Sequence, residues 1–149
     1  MNAPVTPKDF QRPPVADPVA TFAHSVPPRF LFLKAARLMA VGGTNDAHAA
    51  SLMLGWFGQA YRRPLVLVRA LLLELSRVSN RQIRLAPPCC GRITRDEALM
   101  LRALGRAEGQ VQPCHRDACE LLATDEALGA ATCFQAVSAC FEDMGAPLR

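Results

Sequence analysis

An all-α fold is predicted for this chain by its many helix-forming residues, by one long apolar run and by apolar residues spaced three or four apart. Half of the 149 residues are hydrophobic and a fifth are charged, which is typical of a globular protein. Polar and apolar residues rarely alternate as they do in half-buried strands. We therefore expect an irregular antiparallel bundle of about six helices around one central hydrophobic helix.

The first 25 residues differ in composition from the rest of the chain. Proline lacks an N–H donor and fixes φ, so repeated prolines disfavour both helix and sheet. This predicts a flexible proline-rich arm at 1–25 and a single helical domain at 26–149. The leader also lacks the apolar core of a secretory signal, so we expect a cytosolic protein whose cysteines are thiols or metal ligands. The prolines of the arm are Pro4, Pro7, Pro13, Pro14 and Pro18.

Two helices are predicted ahead of the apolar run. Pro28 suits the first turn of a helix, and the Gly42-Gly43 pair is typical of its end. The cluster Thr44-Asn45-Asp46 can cap a second helix, which is predicted from Ala47 to about Tyr61.

The central helix is predicted between Arg62 and Asn80. Pro64 suits its first turn and is also expected to make a kink or break between this helix and the preceding one. From Leu65 to Val78 almost every residue is apolar, so we expect other helices to cover this one nearly all round. The run is too short and too interrupted by charge to span a bilayer, which takes ~20 apolar residues. No membrane span is therefore expected.

Three arginines mark one strip of this helix. Arg62, Arg69 and Arg77 fall on the same side at 3.6 residues per turn, and Glu74 precedes Arg77 by three positions, close enough to pair. The strip is interpreted either as a plain solvent edge or as a basic surface for an acidic protein partner or a small anionic ligand.

The remaining chain begins with an irregular segment. Gln82 to Leu85 has a short alternating pattern, and Pro87-Pro88 exclude helix before the Cys89-Cys90 pair. Thr94 and Glu97 form a predicted capping box, which starts a helix that extends to about Arg106. Two further helices are expected, a short one containing Cys114, His115 and Cys119 and a last one capped by Thr124 or Asp125 and ending near Gly145.

The cysteines suggest two kinds of chemistry. Cys89 and Cys90 precede a capped helix, where the dipole favours a reactive thiolate; the alternative interpretation is a pair of inert loop thiols. His115 and Cys119 share a helix face, and Cys114 lies about 100° away. Together these five residues could bind zinc or an iron–sulfur cluster. Cys133 and Cys140, seven apart, are expected to pack in the core.

Other function classes find little support. No phosphate loop, nucleophile elbow or zinc-protease motif is present, so an enzymatic function is unsupported. The first 100 residues carry 13 Lys/Arg and 6 Asp/Glu, whereas the last 49 carry 4 and 7. This asymmetry is diffuse and has no aromatic residues among the arginines, so the charge pattern disfavours nucleic-acid binding as a function.

Several motifs invite comparison with a known family: Phe57-Gly58, Tyr61 to Leu67, Arg69 to Leu71, Glu74 to Arg77, Pro88-Cys89-Cys90, Thr94 and Glu97. These motifs resemble a family of short, uncharacterised alphaproteobacterial proteins of sphingomonad type. The resemblance covers roughly residues 45–145 and implies no known activity, cofactor or site residue. Our first hypothesis is a non-enzymatic module that binds a partner or ligand; the alternative is a metal-binding or thiol-redox-sensing protein.

Overall fold

The computed structural model describes residues 26–149, which form helices joined by irregular segments and contain no β-strand. The all-α prediction is confirmed for these residues, whereas the predicted arm at 1–25 lies outside them. The elements are α1 (Pro28–Gly42), α2 (Ala47–Phe57), a 3-10 turn (Gly58–Tyr61), α3 (Arg62–Val78), α4 (Arg95–Arg106), α5 (Val111–Leu122) and α6 (Leu128–Asp143).

The ends of the first two helices follow the predicted signals. Pro28 is the first residue of α1, where its missing N–H needs no partner. Gly43 follows the helix with a φ of 88°, a conformation that favours glycine. The Asp46 side chain accepts a hydrogen bond from the Ala49 N–H at 2.8 Å, so the predicted cap of α2 is confirmed.

The break between α2 and α3 lies at Gly58, so its predicted position at Pro64 is wrong. Gly58 has a φ of 56°, and its N–H donates to the Leu54 carbonyl at the end of α2. A 3-10 turn then leads into α3, so α2 ends four residues before Tyr61. The predicted place of Pro64 in the first turn of the central helix is confirmed: it is buried in the first turn of α3 and continues the helix, because no partner is needed for an N–H there.

The core is formed where α3 and α6 pack together, with α1 and α2 beside α3 and with α4 and α5 beside α6. Its largest fully buried side chains include three aromatic rings. The Phe57 ring meets the Phe141 ring edge to face, with centroids 5.2 Å apart, and so joins the end of α2 to α6. The three fully buried aromatic side chains are Phe32, Phe134 and Phe141.

None of the helices from residue 26 onward is long and apolar enough to cross a membrane.

The start of α6 differs from the prediction. The helix begins at Leu128 without a side-chain cap, so the expected caps at Thr124 and Asp125 are wrong. The Thr124 hydroxyl instead accepts a hydrogen bond from the Glu126 N–H at 3.3 Å, within the loop. Its hydroxyl stabilises a local turn, an alternative use of threonine that competes with capping. Farther along α6, Cys140 is buried and Cys133 half-buried, in line with the expected packing.

Candidate functional site

The outer face of α3 is more exposed than its apolar sequence predicts. Its buried residues lie on one side only, and Val66 and Leu73 on the other side are each 56% exposed. The expectation that other helices cover α3 nearly all round is therefore wrong. The neighbouring helices reach a single stripe, which is the usual width of a helix face in a globular core. That stripe consists of Pro64, Leu65, Val68, Leu71 and Leu75.

The exposed apolar residues lie between two arginines. At 3.6 residues per turn, Arg62, Val66, Leu73 and Arg77 fall within about 60° of one another around the helix axis. All four side chains are exposed, as is Ala70 beside them. We call these five residues the α3 strip. It has an apolar middle and a positive charge at each end, over a length of about 22 Å.

The three predicted arginines have different surroundings. Arg69 is half-buried, and its Nε donates to the Thr44 carbonyl at 2.7 Å, so it holds the α1–α2 loop against α3. Arg77 makes the predicted pair with Glu74 through two hydrogen bonds of 2.9 Å. Arg62 is exposed and forms no ion pair within residues 26–149. The strip thus presents Arg62 and Arg77, whereas Arg69 supports the fold.

A shallow groove runs beside the α3 strip, where α3 meets α6. Its volume is about 570 Å³, and two alanines of α6 form one wall. Arg63 at its edge pairs with Asp143 at 3.0 Å. Because alanine side chains are short, another helix could approach this wall closely. The groove is lined by Arg62, Arg63, Val66, Leu67, Ala136 and Ala139.

A second groove lies between α1 and α2. Its volume is about 490 Å³, and Lys34 and His48 supply its charged or titratable side chains. The rest of the lining is mostly apolar and includes Phe30, Leu38 and Trp56. This groove is on different helices from the α3 strip, so variants in the two places can be compared.

The Cys89-Cys90 pair lies in a hydrogen-bonded turn of the irregular segment between α3 and α4. The Cys90 N–H donates to the Pro87 carbonyl at 2.9 Å, which closes the turn. Cys89 is exposed and Cys90 is half-buried, and both are free thiols. Cys89 is therefore accessible to solvent, and the adjacent Cys90 is partly accessible.

A buried ion pair holds this turn in place. Arg37 of α1 bonds Glu97 of α4 through both nitrogens of one guanidinium edge, and its nitrogens also donate to the Cys90 and Arg92 carbonyls at 2.6 and 2.7 Å. Burial alone would raise the pKa of Glu97, but hydrogen bonds from Arg37 and from the Thr94 and Ala86 N–H groups lower it. Glu97 thus stays charged while almost wholly enclosed.

Sequence reasoning found half of this arrangement. The capping box of Thr94 and Glu97 is confirmed, since each side chain bonds the backbone of the other residue. The partnership with Arg37 was missed, because it joins residues far apart in the chain. One signal was available: Arg37 is a charged residue between Leu33, Ala36 and Met39 on the apolar side of α1, where charge needs a buried partner.

Asp96 makes a second anchor for the same segment. Its carboxylate accepts from Arg81 at 2.6 and 3.1 Å and from the Arg84 N–H at 2.7 Å. The hydrogen bonds from Arg81 lower the pKa of Asp96 more than burial raises it. The adjacent carboxylates of Asp96 and Glu97 therefore hold in place the segment between α3 and α4, which has no regular secondary structure.

The proposed metal ligands of α5 have separate environments. Cys114 is buried, its Sγ lies 4.0 Å from the Ala131 carbonyl oxygen, and burial raises its pKa to about 11. His115 and Cys119 do lie together, with the Cys119 Sγ 3.7 Å from the His115 Nε2. In the part of the chain that the structure describes, no three His, Cys, Asp or Glu side chains are grouped to hold a metal ion.

The fold and the surface features define an all-helical domain with an apolar, arginine-ended strip on one helix and a vicinal thiol pair on a clamped turn. The chain belongs to a family of unknown function (DUF6628), whose model matches residues 24–138. The resemblance to an uncharacterised family is thereby confirmed, and the match begins earlier than the resemblance, so that it includes α1. No curated protein and no solved structure matches the chain.

Proposed function

We propose that this protein is a non-enzymatic interaction module, an irregular antiparallel helical bundle that binds an amphipathic helix with acidic flanks from a partner protein. The α3 strip is the binding surface. The observation that carries the proposal is the exposure of Val66 and Leu73, 56% each, on the outer face of a helix between Arg62 and Arg77. Apolar side chains arranged in a line on one helix face are typical of helix-recognition surfaces.

The dimensions of the surface favour a helical ligand. The strip is about 22 Å long, which matches about four turns of a partner helix. The groove formed with Ala136 and Ala139 of α6 runs alongside, so a partner helix can contact both α3 and α6. Burying the exposed parts of Val66 and Leu73 would contribute roughly 1 kcal/mol each. Since association costs at least ~4 kcal/mol, the partner must also use the groove and the arginines.

The charge of the strip favours an acidic partner over a second copy of the chain. In a two-fold pairing of α3 strips, whether parallel or antiparallel, arginine at each end faces arginine. The nearby carboxylates of Glu74 and Asp143 are already paired within the chain, with Arg77 and Arg63, so neither is free to bind an arginine of a second copy. A helix with Asp or Glu at both ends instead places opposite charges together. Complementary charges at both ends fix the register of the partner helix and disfavour partners whose ends are positive.

We also propose a cytosolic location for the module. All six cysteines are free thiols, which supports a reducing compartment.

The test uses two designed amphipathic helical peptides that share an apolar face and differ in their flanks, Glu in one and Lys in the other. Binding to the full chain is measured by fluorescence anisotropy. We expect the Glu-flanked peptide to bind at least ~10-fold more tightly than the Lys-flanked one. Replacing the apolar middle, Val66→Ser with Leu73→Ser, should weaken binding of the Glu-flanked peptide by at least ~10-fold.

A matched control is provided by Lys34→Glu in the α1–α2 groove, which reverses a charge away from the strip. This variant should bind the Glu-flanked peptide as the unmodified chain does. Loss of binding with Lys34→Glu, and none with the strip variant, would assign the site to the α1–α2 groove and overturn the proposal. Self-association through α3, detected as a dimer that the strip variant abolishes, would overturn it as well.

A further inference from the structure

We propose that Cys89 and Cys90 form a two-thiolate site that chelates a single thiophilic centre, either trivalent arsenic or Cu(I). This site is separate from the α3 strip and does not depend on the proposed function. It rests on the position of two adjacent free thiols, one exposed and one half-buried, in a turn closed by the Cys90 N–H and the Pro87 carbonyl.

The turn is fixed on both sides by the same buried ion pair. Before the thiols, the Ala86 N–H donates to Glu97 at 3.1 Å. At and after them, Arg37 donates to the carbonyls of Cys90 and Arg92. A chain segment that is already ordered loses little conformational freedom when it binds, so the two sulfurs can act as a chelate without first folding a loop.

Adjacent cysteines are better suited to chelation than to a direct disulfide. Their Cα atoms are separated by about 3.8 Å across a trans peptide bond, and unstrained disulfides have Cα atoms ~4.4–6.8 Å apart. Closing a bond between the two sulfurs therefore strains the backbone. A third atom bonded to both sulfurs lengthens the bridge and removes this constraint. We thus expect the pair to remain reduced and to hold a thiophilic atom.

The ligand set selects the kind of centre. Soft thiolate ligands favour Cu(I) and other thiophilic centres over hard cations. In residues 26–149 no third His, Cys, Asp or Glu completes a metal-holding group with these two thiols. The two thiols therefore supply only half of the four protein ligands that a structural zinc ion takes. Two thiolates alone can coordinate Cu(I). Trivalent arsenic forms three bonds, so it can bond to both sulfurs and keep one substituent that does not come from the protein.

The binding steps involve no oxidation or reduction. With phenylarsine oxide, each Sγ forms a bond to arsenic, and the two thiol protons leave with the oxide oxygen as one water molecule. Arsenic stays trivalent and keeps its phenyl group. With Cu(I), the two thiols release their protons and both thiolates bond to the ion.

The test exposes the full reduced chain to phenylarsine oxide and, separately, to Cu(I), and measures stoichiometry by native mass spectrometry. We expect one adduct per chain with at least one of the two probes, resistant to excess monothiol and removed by a dithiol. An adduct with one probe alone identifies which centre the site holds. No adduct with either probe overturns the proposal.

Variants locate the site. Cys89→Ser and Cys90→Ser should each abolish the adduct, and Cys90→Ser keeps the main-chain carbonyl that Arg37 binds. Cys133→Ser, which alters a half-buried thiol of α6, is the matched control and should leave the adduct unchanged. Retention of the adduct in both Cys89→Ser and Cys90→Ser, or its loss in Cys133→Ser, would contradict the assignment.

Discussion

Arg37 of α1 and Glu97 of α4 are 60 positions apart in sequence and form a two-point ion pair, with Nε to Oε1 at 2.6 Å and Nη2 to Oε2 at 2.9 Å. Both side chains are almost completely buried. Removing one partner leaves the other charge buried without compensation, which is far more costly than losing an exposed pair. The pair therefore joins the first helix to the irregular segment that carries the two thiols.

The first prediction concerns this ion pair. Arg37→Met should lower the free energy of unfolding by ~3–5 kcal/mol, because Glu97 is left charged inside the protein. Urea denaturation monitored by circular dichroism measures the change. Arg63→Met is the matched control: it breaks the exposed pair with Asp143 and should cost less than ~1 kcal/mol. Equal effects of the two substitutions would show that the buried pair has no special role.

The second prediction concerns acid sensitivity. Arg81 holds the pKa of Asp96 below its ordinary value of 3.8, so the carboxylate binds a proton less readily when folded than when unfolded. Its contribution to stability is therefore complete above that ordinary value and is lost as the pH falls through the lowered folded-state value. Urea titrations at a series of pH values should show a steeper acid loss for the natural chain than for Asp96→Asn. Identical pH profiles would contradict this.

The third prediction concerns thiol reactivity. Burial raises the pKa of Cys114 from 9.0 to about 11, which lowers its thiolate fraction about 100-fold near neutral pH. Cys89, by contrast, is exposed. Iodoacetamide at pH 8, followed by peptide mass mapping, should label Cys89 in the folded protein and Cys114 only in urea. Labelling of Cys114 ahead of Cys89 in the folded state would mean that α5 is not packed as described.

The sequence was informative wherever the controlling interactions are local. Pro28, Asp46 and the Thr94–Glu97 box were placed correctly because each acts within about one helical turn of itself. The Glu74–Arg77 pair was predicted correctly for the same reason. One error arose where two local signals compete for the same helix break, as Gly58 and Pro64 do. Another arose at Thr124, whose hydroxyl hydrogen-bonds within a loop instead of capping a helix.

The burial of α3 and the setting of the thiols depended on tertiary packing. The arginines indicated which side of α3 faces solvent, but an apolar run does not reveal how many neighbours it has, so the exposure of Val66 and Leu73 on that side was missed. The same limit applies to Arg37, whose partner is supplied by another helix. The prediction that His115 and Cys119 share a face of α5 is confirmed, because it rests on helix geometry alone, whereas the burial of Cys114 in the core depends on packing against other helices.

The fourth prediction separates the two faces of α3. Leu71 is fully buried, and Leu71→Ala should lower the free energy of unfolding by ~2–5 kcal/mol through loss of packing. Leu73→Ala, two residues away on the exposed face, should change it by no more than ~0.5 kcal/mol. Thermal or urea unfolding of the two variants compares them directly. A large loss with Leu73→Ala would show that the strip is covered in the folded protein.

Charge exchange on the α3 strip tests the central claim most directly. A chain with Arg62→Glu and Arg77→Glu is titrated with the Glu-flanked and Lys-flanked amphipathic peptides by fluorescence anisotropy. We predict that the preference reverses, with the Lys-flanked peptide now bound more tightly, because the apolar middle is intact and only the end charges have changed. Continued preference for the Glu-flanked peptide would contradict the assignment of α3 as the recognition surface.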